Sequence, residues 1–169
     1  MSLNKEEIVD LYRHRAKWYD FTAQLYYLMG FREWAYRKKA VDALALKSGD
    51  TLVEIGCGTG PNFSLLEMKI GQEGKTIGLD LTDSMPADAQ ERARRNRWSN
   101  MELVQSDAPS FQFSPRLNGV ISTFALTLVP EYERVIHASS EACCLVGGLS
   151  AWTSSCRTIG SHDWLQCLS

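Results

Sequence analysis

The stretch Thr51-Leu52-Val53-Glu54-Ile55-Gly56-Cys57-Gly58-Thr59-Gly60 decides how the rest of the chain is read. Its first five residues are largely apolar and β-branched, which predicts a buried strand. Glycines at 56, 58 and 60 then predict a tight turn that leaves no Cβ between backbone and ligand. Upstream, Lys47-Ser48-Gly49-Asp50 is a turn that starts the strand. Downstream, Phe63, Leu66 and Ile70 recur at helical spacing.

Working outward, the alternation continues. After the turn Gly71-Gln72-Glu73-Gly74, residues Lys75 to Leu79 read as a second strand ending on Asp80. Thr82 or Asp83 caps a helix running to about Asn96. Met101 to Gln105 reads as a third strand and ends on Asp107, Gly119 to Phe124 is a fourth, and Tyr132 to Cys143 a further helix. On the other side, Phe31 to Leu46 is amphipathic through Trp34, Val41 and Leu44, and helical spacing recurs among Ile8, Leu11, Trp18 and Leu25. Strands alternating with helices predict a parallel sheet with right-handed crossovers. The fold class is therefore a doubly wound α/β domain preceded by helices. Its expected segments are 1–46 (N-terminal helical segment or lid), 47–142 (α/β binding core) and 143–169 (an aberrant tail).

Composition excludes several classes. The 169 residues carry 18 Lys plus Arg against 20 Asp plus Glu, a net charge of −2, with 44% hydrophobic residues. That is a globular composition without the basic excess of a nucleic-acid binder. No run reaches the roughly 20 apolar residues of a membrane span. Met1 to Lys5 is polar, which argues against a secretory signal, so a cytoplasmic location is the expectation. Of five cysteines, Cys57 stands alone and Cys143, Cys144, Cys156 and Cys167 crowd the tail in no metal-ligand spacing. Neither a metal site nor a disulfide framework is expected.

Three features fall at successive strand ends, where doubly wound sheets form their ligand crevice. The first is the glycine turn preceded by Glu54. The second is Asp80, twenty residues past Gly60, placed to accept both hydroxyls of a ribose. The third is Ser106-Asp107-Ala108, where Asp107 can receive an adenine amino group and Ala108 leaves room for the ring. Each alone reads equally well as a turn or helix cap; the three together point to a nucleoside-bearing ligand.

The glycine spacing here is G-x-G-x-G rather than the dinucleotide pattern G-x-G-x-x-G. With Glu54 two residues ahead, it resembles motif I of the class I S-adenosylmethionine-dependent methyltransferases, whose fold is Rossmann-like. The resemblance continues at Gly78-Leu79-Asp80-Leu81-Thr82-Asp83-Ser84-Met85, at Ser106-Asp107-Ala108 and at Ile121-Ser122-Thr123-Phe124. It covers about residues 10–142 and is closest to the small-molecule and quinone C-methyltransferase branch. It implies S-adenosyl-L-methionine as cofactor and a small-molecule methyl acceptor. By this resemblance Glu54, Gly56, Cys57, Gly58 and Gly60 belong to the cofactor loop and Asp80 binds the ribose. Leu81 and Met85 flank the adenine, Asp107 and Ala108 meet its edge, and Thr123 and Phe124 line the pocket near the sulfonium. Tyr12, Tyr19 and Phe21 are lid candidates, equally readable as core aromatics. No catalytic base is nameable, because the sulfonium already activates the methyl and the protein acts by positioning. Two alternatives are a non-catalytic remnant and a nicotinamide-dependent oxidoreductase, the latter disfavoured by the glycine spacing and Asp107.

The resemblance stops after Ala142. Cys143 to Ser169 holds no Lys, one Arg and one Asp, and lacks the P-G-G turn and fifth strand. Read one base out of frame, codons compatible with this tail spell LPGGRLVCLDFKLPDNW, which restores the turn and an apolar strand. A frame change near residue 143 is the expectation, with a natural divergent terminus as the alternative. Without further strands, the fourth strand is expected to be an exposed edge open to self-association.

Overall fold

The computed structural model describes residues 33–82, 84–144 and 157–159, apart from the side chains of 84–86, 127, 144 and 157–159. Tyr12, Tyr19 and Phe21 lie outside the described residues, as does the side chain of Met85. The elements are α1 (Glu33–Ala43), β1 (Thr51–Ile55), α2 (Phe63–Ile70), β2 (Lys75–Asp80) and α3 (Ser84–Arg95). They continue with β3 (Met101–Gln105), β4 (Gly119–Ile121), α4 (Tyr132–Cys144) and β5 (Arg157–Ile159). All strands pair in parallel in the order β3-β2-β1-β4-β5, so the fold is the expected doubly wound α/β sheet.

Side chains alternate across β1 and divide the core into two layers. Leu52 faces the layer of Val41, Phe63, Leu66, Ile70 and Ala89, contributed by α1, α2 and α3. Val53 and Ile55 face the layer of Leu117, Val120, Val135 and Ala142, largely from the β4–α4 segment. Both faces of β1 are thus covered, which is why its sequence is a nearly continuous apolar run. Register aligns the carboxyl ends: Ile55 lies opposite Leu79, Asp80 opposite Gln105, and Glu54 opposite Ile121.

Two expectations at the far side of the sheet are corrected. The fourth strand ends at Ile121, not Phe124. At the next position the Ser122 hydroxyl donates to the Ile55 carbonyl (2.9 Å), taking the acceptor a continuing strand would need. The chain then turns, and Phe124 is left-handed at φ 64°. Nor is β4 an open edge. The tail supplies β5, with Gly119 opposite Arg157 and Ile121 opposite Ile159. In addition, Cys143, buried on α4, is disulfide-bonded to a partner outside the described side chains, where no disulfide was expected.

Candidate functional site

The floor of the site is the turn after β1. Gly56, Gly58 and Gly60 take φ values of 68°, 54° and 72°, a left-handed region that favours glycine. The amides of Gly56 and Cys57 both donate to the Leu79 carbonyl, at 2.7 and 3.0 Å. The Gly58 amide donates to Asp80 Oδ2 (2.8 Å). Asp80 Oδ1 accepts from the Thr82 amide (3.0 Å) and hydroxyl (2.8 Å). Asp80 therefore braces the glycine turn against the end of β2 while lining the cavity beside it.

That cavity opens at the carboxyl ends of β1 to β4. Among the residues expected from the sequence, Gly56, Cys57, Gly58, Asp80, Leu81, Asp107, Ala108, Thr123 and Phe124 line it. Glu54 and Gly60 do not. A Cβ on Gly60 would meet the Phe63 ring at 2.5 Å, so this glycine lets the turn close onto α2. Cys57 lines the cavity yet is almost fully buried. Burial, reinforced by the Glu54 and Asp80 carboxylates, pushes its thiol well above the ordinary range and keeps it protonated.

Beneath the turn lies a buried polar cluster. Glu54 sits on the α1–α2 side of the sheet, 1% exposed, where the Asn62 amide donates to its Oε1 at 2.7 Å. Its Oε2 has no partner among the described residues. Burial raises its pKa to about 7, although the Arg37 charge and the Asn62 hydrogen bond oppose the rise. Asn62 Nδ2 also donates to Thr123 Oγ1 (2.8 Å). Arg37 is 4% exposed and lines the cavity. It donates to Glu33 Oε1 from Nε (2.9 Å) and Nη2 (2.6 Å). Its Nη1 donates to Thr123 Oγ1 (2.7 Å) and Asn62 Oδ1 (3.2 Å). The guanidinium carbon also lies 5.0 Å from the centre of the Phe124 ring, a cation–π contact that supports a backbone conformation unusual for phenylalanine. Sequence reasoning missed Arg37. The available signal was its place on one helical face with Val41 and Leu44, a cation where an apolar residue is expected.

The arrangement presents a glycine turn, apolar walls at Leu79, Leu81 and Ala108, carboxylates at the ends of β2 and β3, and a guanidinium beside the end of β4. The sequence pattern of a methyltransferase domain matches residues 52–144, more than half of the chain. The chain belongs to the methyltransferase domain family. This methyltransferase domain is 27% identical over 139 residues to a demethylmenaquinone methyltransferase of Shouchella clausii, covering 81% of the chain and 58% of that relative. It is 33% identical over 133 residues to the demethylmenaquinone methyltransferase of Desulfitobacterium hafniense, covering 77% and 51%. The chain thus spans about half the length of the curated relatives it matches. In fold it is similar to a SAM-dependent methyltransferase from Aquifex aeolicus, with a TM-score of 0.57 at 20% identity, covering 63% of this chain and 57% of that one.

Proposed function

We propose that the chain binds S-adenosyl-L-methionine in the cavity at the strand ends and transfers its methyl group to a small quinone-type molecule. The observation that carries the reading is the convergence of glycine turn, Asp80 and Asp107 on one cavity in a methyltransferase domain. The quinone class is supported by the names of the demethylmenaquinone methyltransferases it resembles. The residues fit the cofactor chemically. Gly56 and Gly58 bring bare backbone to the cavity wall, and Asp80 keeps acceptor capacity for ribose hydroxyls beyond its bonds to Gly58 and Thr82. Leu79, Leu81 and Ala108 offer apolar surface to a planar base, with Asp107 at its edge.

When bound, the cofactor supplies a methyl group already activated by its sulfonium. The chain's residues then hold it and orient it for in-line transfer. S-adenosylhomocysteine should raise the thermal midpoint, because a ligand that binds only the folded state adds about 2.7 kcal/mol at a hundredfold excess over its Kd. NAD should not shift it. Labelled methyl should pass from the cofactor to a demethylated naphthohydroquinone supplied in its reduced form, whose electron-rich ring carbon attacks the methyl as the sulfur leaves and then loses its proton to solvent. Stabilisation by NAD alone would sink the reading; stabilisation by S-adenosylhomocysteine without transfer would support a binding remnant instead.

A further inference from the structure

The crossover from β3 to β4 is unlike the others. β1 and β2 are joined through α2, β2 and β3 through α3, and β4 and β5 through α4. Residues 106–118 instead form only one 3₁₀ turn, Ala108–Ser110. Parallel strands are usually joined by a helix that covers the sheet. Here a groove of about 600 Å³ lies between this segment and α4. Phe111 and Phe113 line one side, half-buried and packed edge to face with ring centres 5.1 Å apart. On the other side Arg134, Val135, Ala138, Glu141 and Ala142 line it, which is one face of α4 at helical spacing. The groove is also acidic. Glu131 and Glu141 are exposed and bound the stretch of α4 that lines it, about 15 Å apart along the helix. With Asp107 they set three carboxylates against one guanidinium, that of Arg134, which pairs with Glu131 at 3.4 Å.

We propose that this groove docks a basic amphipathic helix of a partner protein, laid along α4 where the β3–β4 crossover has no helix of its own. Shape, surface and charge each select that occupant. The groove lies where this face of the sheet carries a 3₁₀ turn in place of a second helix beside α4. Ala138 and Ala142 are small, so a second helix axis can approach α4 to the ~8–10 Å of ordinary helix packing. Phe111 and Phe113 give apolar surface to anchors spaced three and four residues apart on the incoming helix. The carboxylates favour lysine or arginine on its flanks and repel an acidic helix. Such exposed charges set partner choice and encounter rate more than affinity, which the apolar contacts supply. The proposal goes beyond the methyltransferase reading and holds whether or not the chain is catalytic.

The probe is a fluorescein-labelled helical peptide of about 18 residues, five turns, with leucines on one face and lysines on the other. Its control carries glutamate in place of every lysine. Fluorescence anisotropy should show the lysine peptide binding the parent protein with micromolar affinity, weakening as salt rises, and the glutamate peptide not binding. Ala138→Trp, which fills the middle of the groove, should weaken binding about a hundredfold. Glu141→Lys, a change at an exposed position, should weaken it about tenfold. A thermal midpoint close to the parent's reports an intact fold in each variant, and Glu141→Lys decides alone if Ala138→Trp fails to fold. No binding by the parent, equal binding of the two peptides, or binding that survives the substitutions would overturn the proposal. So would self-association of the parent in sedimentation that Glu141→Lys abolishes, because the groove would then belong to a second copy of the chain.

Discussion

Glu54 shows how far a single residue can be read. Its place two residues before the first glycine was visible, but the expectation of a ligand contact was not met in the cavity, because side-chain alternation turns it toward α1 and α2. There burial raises its carboxyl to about 7 from an ordinary value of 4.5. An acid with a raised folded-state pKa binds its proton more tightly when folded. Its contribution is therefore most favourable below about 4.5 and is lost as pH rises to about 7. At 1.36 kcal/mol per pH unit the loss amounts to about 3 kcal/mol. Glu54→Gln should flatten this slope and leave the variant more stable than the parent at pH 8, measured by chemical denaturation at pH 5 and pH 8. Asp42 and Glu91 act in the opposite sense. Hydrogen bonds from Lys38 and Lys69 hold Asp42 at about 2, and those from Arg94 and Arg95 do the same for Glu91. What they contribute is complete above about 4.5 and lost as pH falls toward 2, so the two windows do not overlap. A parent whose stability does not fall between pH 5 and 8 would contradict the Glu54 account.

At the scale of elements, β2 carries a glycine at its centre, which by propensity alone weakens a strand. Packing supplies the reason. A Cβ on Gly78 would meet Leu103 Cδ2 at 2.8 Å, Cys57 Sγ at 3.0 Å and Phe63 Cζ at 3.2 Å. The missing side chain is the space into which the glycine turn and the first residue of α2 settle. Gly78→Ala should therefore destabilise the protein by about 1–3 kcal/mol, as overpacked cores do, against the slight gain that alanine gives elsewhere in a strand. Urea denaturation reads this directly, and a neutral or stabilising result would show that the layer can yield. Most elements were legible because hydrophobic period and turn residues are local signals. The shortening of β4 was not, since it depends on Ser122 meeting a carbonyl 67 residues earlier in the chain.

For the whole molecule, the decisive relation is the pairing of β5 with β4. The tail lacks the pattern of a fifth strand, yet three of its residues lie in parallel register on Gly119 to Ile121. Without that pairing, a wholly buried strand would become an edge open to other copies of the chain. Successive residues of a strand turn their amides to opposite sides, so replacing both Arg157 and Thr158 by proline removes a ladder bond whichever amide faces β4. The double variant should lose about 1–3 kcal/mol of stability, the cost of leaving a buried partner unpaired. It should also show concentration-dependent association in sedimentation, which the parent should not. A monomeric double variant of parental stability would show that β5 does not protect the edge.

The sequence alone determined the alternation of strands and helices, the glycine turn after β1 and the carboxylates at the ends of β2 and β3. These rest on periodicity and on backbone freedom within a few residues, which the chain carries wherever it goes. Only the tertiary structure decided that Asp80 braces the glycine turn and that Glu54 lies beneath it. It alone brought Arg37 to Asn62 and Thr123, across 25 and 86 residues of chain, and seated the tail against β4. Those contacts join segments with no shared local pattern, and register and side-chain packing choose them once the sheet has formed.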